Sequence, residues 1–303
     1  MQDKPTLEEM AAALEASGNY KILRRLVPRT VSTAPVSPTD KVGVVLDVET
    51  TGLDHRVDEI VELGMVRFSY SEADEVTGVT GTFQAFREPS VPVSPEITDL
   101  TGITNDMVAG QRIDEAAVEE FVRGAHVVIA HNAGFDRKFA ECFWPVFGRK
   151  PWACSMSEVD WRKQGFAGAN LSYLLAGCWL FHDAHRAVDD CHAVLEILAK
   201  PLPGASETAL AALLARARQP SVRVWAEHSP FDLKDVLKAR GYKWSDGSDG
   251  SPRCWFADVA ADRHLAEIEF LRAEIYQRDV HIRSRAVSAL ERYSSRLSHY
   301  PHC

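Results

Sequence analysis

The segment "VGVVLDVETTGLD", residues 42–54, restricts the possible folds of this chain more than any other stretch. It reads as a buried strand whose end carries two acids. Side chains alternate along a strand, so Asp47 and Glu49 project from the same side of an otherwise apolar segment. Two carboxylates that close repel each other, and an unpaired buried carboxylate costs several kcal/mol or takes up a proton. A fold that keeps them there must supply positive charge at the end of the strand.

The surrounding pattern predicts what that strand belongs to. Residues 6–27 suggest a helix capped by Thr6, with Glu9 as capping-box partner and a weak point near Gly18 and Asn19. Residues 28–40 are rich in Pro, Ser and Thr and read as a linker. Strands are expected at 42–48, 59–69, 78–86 and 126–130, and helices at 114–123, 134–147, 155–164, 171–176 and 187–199. Three antiparallel strands followed by alternating strand and helix make an α/β unit over 41–200, with a mixed sheet flanked by helices. Residues 201–220 form a linker with a short helix. Residues 221–260 suggest a small α+β unit with a strand at 222–226, a helix at 231–240 and an aromatic hairpin. Residues 261–303 are expected as a helix, running to about 293, and a tail.

Charge is unevenly placed along the chain. Residues 1–40 hold 5 basic and 5 acidic side chains, residues 41–220 hold 16 and 26, and residues 221–303 hold 13 and 12. So acidic a central unit is a poor general binder of polyanions, and a nucleic-acid substrate there needs divalent metal and local basic or aromatic contacts. The six cysteines include no C-x-x-C pair, which argues for reduced thiols over a zinc ribbon or a disulfide framework. The longest apolar stretch, 173–181, is too short to span a bilayer, and the first fifteen residues carry acids where a signal peptide would be basic and apolar. The expectation is a cytoplasmic protein with no membrane partner.

Two further acids bear on the opening pair. Asp136 lies in "AHNAGFD", just inside a helix that begins where the strand "HVVIA" ends, and Asp190 lies in "HRAVDDCHAVLEIL", inside another helix. Strand ends and the helix starts beside them are where open sheets place ligands. Four carboxylates without matching cations point to hard metal ions, two Mg²⁺ or Mn²⁺ per site, of the kind that clamp an in-line phosphoryl displacement. His185 stands five residues before Asp190; at about 100° per residue the two would face different ways on one helix, so His185 is expected in the preceding loop.

"DVETTG", "HNAGFD" and "HRAVDD" together resemble the three motifs of the DEDDh 3'-5' exonucleases, the family of the epsilon proofreading subunit of bacterial DNA polymerase III and of ribonuclease T. "EITDLTGIT" resembles the segment that these enzymes carry between the first two motifs, and the likeness covers about residues 41–200 in order and spacing. The resemblance implies a ribonuclease H-like fold, with Asp47, Glu49, Asp136 and Asp190 as metal ligands and His185 as general base. It also implies that Thr50, Thr51, Gly52 and Leu53 meet the 3'-terminal nucleotide and that Ile103 wedges beside a base. Taken with the acids, it predicts hydrolysis of single-stranded or frayed 3' ends to nucleoside 5'-monophosphates, with DNA as the substrate, as in proofreading or repair. An exoribonuclease, or a nucleic-acid-binding subunit of a polymerase or repair complex, would use the same residues, and replication or repair proteins are the expected protein partners.

Other residues read more plainly. His131 suits a bond to loop backbone, His182 and His192 fit surface or packing positions, and Phe135, Phe139 and Phe143 form a core stripe at helical spacing. In the last unit, "FDLKDVLKARGYKW" followed by "RCWF" resembles a small domain recurrent in bacterial nucleic-acid-processing proteins. Trp225, Tyr242, Trp244 and Trp255 either stack on single-stranded bases, with Lys234, Lys238, Lys243 and Arg253 near the phosphates, or fill a small core.

Overall fold

A computed structural model of the chain describes residues 4–248 and 250–298. Helix α1 (Leu7–Ala16) begins at the expected capping box: the Thr6 hydroxyl accepts from Glu9 N and the Glu9 carboxylate accepts from Thr6 N. It ends where left-handed Gly18 turns the chain, and Arg24–Arg25 then pairs in parallel with Leu180–Phe181.

The central sheet has strands β1 (Lys41–Thr50), β2 (Ile60–Tyr70), β3 (Val76–Phe86), β4 (Val127–Ala130) and β5 (Trp152–Cys154), in the order β3-β2-β1-β4-β5. The first three are antiparallel, and β4 and β5 run parallel to β1. Val44, Leu46 and Val48 of β1 pack on one face with Val118, Val122, Phe139 and Ala140, from helices α2 (Glu115–Val122) and α3 (Ala133–Phe143). Val45 packs on the other face with Leu174, Cys191, Val194 and Leu198, where helix α4 (Ala187–Ala199) crosses the sheet. By alternation Asp47 and Glu49 face α4.

Strand β5 and the turns after it differ from the expected helix over 155–164. Three strand residues are too few to show a period of two. The turns are closed by contacts absent from any local pattern: Cys154 N donates to the Glu158 carboxylate at 2.9 Å, and Trp161 Nε1 to Ser155 O at 2.7 Å.

After helix α5 (Ala209–Ala217) comes a second sheet: β6 (Ser221–Ala226), β7 (Lys243–Trp244), β8 (Trp255–Ala260) and β9 (Ser284–Val287), in the order β9-β6-β8-β7. The helix expected over 261–293 is α6 (His264–Phe270) with a wider turn to Tyr276; Gln277, at φ 52°, stops it. Val280 and Ile282 then pack into the small core with Val224, Leu237 and Tyr242, which brings β9 alongside β6. The chain finally returns to the first sheet. Trp152 N donates to Ala289 O at 3.0 Å, and the buried Arg137 guanidinium donates to the carbonyls of Ala289, Leu290 and Arg292. No helix among the described residues is long and apolar enough to cross a membrane, and the described cysteines are free thiols.

Candidate active site

The antiparallel pairing of β1 and β2 sets Asp47 opposite Gly64 and Glu49 opposite Glu62, with a bulge after Glu49 that ends the strand. Gly64 leaves room for the backbone of α4, whose first turn then delivers Asp190 over the two acids. Asp47, Glu49 and Asp190 each place a carboxylate oxygen within 4.8 Å of the other two. Asp136, in the first turn of α3, is buried beside them, its Oδ1 accepting from Val48 N at 3.3 Å. Left-handed Asn132 turns the chain from β4 into that helix.

The electrostatics answer the problem set by the sequence. Burial, followed by the charges of Asp136, Asp190 and Glu49, pushes the Asp47 carboxyl well above the usual carboxylate range. Glu49 is pushed up to about 8 by burial and by the charges of Asp190 and Glu62, and burial pushes Asp136 up to about 8. The Arg186 charge nearby pulls Glu49 down but does not outweigh burial and the neighbouring acids, so the group favours protons or a cation from solution. An oxygen-only donor set this dense suits a hard divalent ion such as Mg²⁺ or Mn²⁺.

His185 does sit in the loop before α4, at φ 68°, with its backbone N–H donating to Asp190 Oδ2 at 2.9 Å. Its ring is exposed and has no hydrogen-bond partner among the described residues. His182, expected at the surface or in packing, instead bonds its Nε2 to Asp190 Oδ1 at 2.5 Å. His131 is held between Ser155 Oγ and Ala169 O, and burial lowers its pKa.

The loop after β1 is organised by Asp58, which accepts from Asp54 N at 2.8 Å and from the Thr51 hydroxyl. A Cβ on Gly52 would meet the Asp58 carboxylate at 2.5 Å. The Thr50 hydroxyl donates to Gly52 O, while the Leu53 side chain stands in solvent, 87% exposed. Ile103 is the correction: it is fully buried with Val61, Val93 and Val108, so it is a core residue here and offers no surface to a base. Its apolar side chain gains more from that small cluster than from exposure at the edge of a cleft.

Glu62 and Arg186 escaped the sequence reading. Glu62 is fully buried and accepts from Gln84 Nε2, from Arg186 Nη2 at 3.2 Å and from Ala187 N at 3.2 Å, which ties β2 to the start of α4. An acid inside the apolar strand "IVELGMV", in register with Glu49, was the available signal.

The model of the RNase_T exonuclease family matches residues 44–198, just over half of the chain. The chain belongs to this family. Its exonuclease domain is similar to part of the DNA polymerase III PolC-type of Caldanaerobacter subterraneus subsp. tengcongensis, 33% identical over 167 residues, 52% of this chain and 11% of that protein. The PolC-type polymerase of Clostridium perfringens is 36% identical over 163 residues, 51% of this chain and 11% of that protein. The chain thus spans about a tenth of the length of the curated relatives it matches. Among solved structures, exonuclease X in complex with 5' overhanging duplex DNA is 24% identical at a TM-score of 0.40, covering 56% of this chain and 99% of that one. An E. coli exonuclease I complex with single-stranded DNA is 15% identical at a TM-score of 0.47, covering 77% of this chain and 71% of that one.

Proposed function

We propose that the chain is a metal-dependent 3'-5' exonuclease that releases nucleoside 5'-monophosphates from single-stranded or frayed 3' ends, with DNA as its substrate. The observation that carries this reading is the convergence of Asp47, Glu49 and Asp190 within 4.8 Å, with carboxyl pKa values at Asp47 and Glu49 that stay raised despite the charge of nearby Arg186. Asp47, Glu49 and Asp190, with Asp136 behind them, would hold two Mg²⁺ or Mn²⁺ ions. Such ions polarise a phosphate and stabilise charge on a leaving oxygen.

The remaining work falls to side chains. The exposed His185 ring, anchored only through its backbone to Asp190, is free to turn toward an attacking water and take its proton. Thr50, Thr51 and Gly52, in the loop braced by Asp58, would fix the terminal nucleotide, and exposed Leu53 would lie against its base. The PolC-type relatives are DNA polymerases by name, which supports DNA over RNA. This activity implies a cytoplasmic site of action and replication or repair proteins as partners.

The test is incubation of the purified protein with 5'-labelled DNA and RNA strands of one sequence in Mn²⁺ or Mg²⁺. The expected result is a ladder shortened from the 3' end, mononucleotide release, faster loss of DNA, and no reaction in excess chelator or with Asp47→Asn. Full activity in chelator would overturn the reading.

A further inference from the structure

A cleft of about 760 Å³ separates the exonuclease sheet from the second sheet, within the roughly 300–1,000 Å³ range of ligand sites. One wall is the loop after β1, through Leu53, and the first turns of α3, through Phe135 and Lys138. The facing wall is the second sheet, through Lys243 and Trp244, and Arg216 of α5 also lines it.

Charge in this cleft is divided in an informative way. Of its four acids, Asp54 is paired with Arg56, Glu158 with Arg292, and Asp258 with Arg223 in a two-pronged pair at 2.7 Å, while Asp246 accepts from Ser248 N at 2.9 Å. Lys138, Lys243 and Arg216 have no side-chain hydrogen bond or ion pair among the described residues. The Nη1 of Arg216 is buried and unsatisfied, a state that costs a charged donor more than a neutral one.

The aromatic residues sort the same way. Tyr242 and Trp225 are buried in the second unit, which settles them as core. Trp244 is 50% exposed, edge-on to Trp255 at 5.6 Å, and it lines the cleft beside Lys243. An exposed indole next to unpaired cations is the pairing that binds stacked bases and their phosphates.

We infer that this cleft holds the non-terminal nucleotides of a single strand, with a base stacked on Trp244 and phosphates met by Lys138, Lys243 and Arg216. The inference rests on the nuclease reading for its direction, because Leu53 joins the cleft to the loop that would receive the 3' terminus. The second sheet thereby lengthens the strand-binding path, and Arg56 Nη1, donating to Ser248 O, fastens the two walls together.

The test is anisotropy titration of the full chain, in chelator, with 5'-fluorescein oligothymidylates of three and twelve residues, beside Mn²⁺-dependent degradation of the same strands. The wild type should bind the longer strand about tenfold tighter, and Trp244→Ala or Lys138→Glu should each remove most of that gain. Lys243→Glu, at an exposed position, serves where another variant fails to fold, and it should also lower the salt dependence of binding. Trp244-dependent binding without any degradation would support the cleft and sink the nuclease reading. Degradation and long-strand binding unaffected by all three substitutions would overturn the cleft and leave the nuclease reading standing.

Discussion

A Cβ placed on Gly64 would lie 2.3 Å from the carbonyl carbon of Ala187, so strand β2 and the first turn of α4 meet backbone to backbone. Cys191 Sγ, one turn further on, donates to Gly64 O at 3.3 Å. Because Gly64 stands opposite Asp47, this close approach also sets how near Asp190 comes to Asp47. Gly64→Ala must therefore push the helix away or bend the strand. The expected cost is about 1–3 kcal/mol of stability, read by urea denaturation, together with weaker Mn²⁺ binding by calorimetry. Unchanged Mn²⁺ affinity would show that the helix seat does not govern the acidic cluster.

The two histidines beside Asp190 should give opposite phenotypes. His185→Ala removes an exposed ring that bonds to none of the described residues, so stability should stay within about 0.5 kcal/mol while turnover falls about 10²–10⁴-fold. His182→Ala removes a ring bonded to a buried carboxylate and should cost about 1–3 kcal/mol of stability in chelator. Single-turnover kinetics and thermal melts on both variants separate the roles. A larger kinetic defect in His182→Ala would assign the proton transfer to that residue instead.

The opening acids were legible because strand alternation and an apolar setting leave little freedom: residues 42–48, read as a strand, dictate that Asp47 and Glu49 share a face. Helix α4 was equally plain, its bounds 187–199 following from an uninterrupted apolar stripe. Elements held by distant contacts were not legible. Strand β9 is too short for a pattern and exists because Val280 and Ile282 find the core of the second unit. Ile103 looked like a substrate contact because its motif is the same whether the side chain turns in or out; only the cluster with Val61, Val93 and Val108 decides that. His182 fell outside every motif, since its link to Asp190 depends on the shape of the loop.

The raised carboxyls make a pH prediction with a definite sign. Glu49 and Asp136 rise from their ordinary values of 4.5 and 3.8 to about 8, so the folded, metal-free chain holds more protons than the unfolded chain across that window. Their contribution is fully present below pH 4 and is lost as pH rises through about 8. In chelator, the melting temperature should therefore decline between pH 5.5 and 8.5, and Mn²⁺ should restore it most at the alkaline end, where the site is fully ionised. A melting temperature that climbs steadily over that range in chelator would contradict the assignment.

Arg137 makes the last case, because it is a buried charge that links the exonuclease sheet to the end of the chain. Its guanidinium donates to Glu141 at 2.7 Å, to Arg292 O and Leu290 O at 2.6 Å, and to Ala289 O at 3.3 Å. Arg137→Met would fill a similar volume yet leave three carbonyls without those donors. Glu141 would keep only Ser294 and Arg296. Breaking a buried pair in this way costs about 3–5 kcal/mol, and Lys would not rescue it, since an ammonium cannot reproduce the planar fork. The segment after β9 should loosen before the rest unfolds, which limited trypsin digestion would detect as early cleavage near Arg292 and Arg296. Protection of those sites equal to wild type, in a variant destabilised by the expected amount, would mean that the other ties of the terminal segment, Arg292 to Glu158 and Ser294 and Arg296 to Glu141, hold it without Arg137.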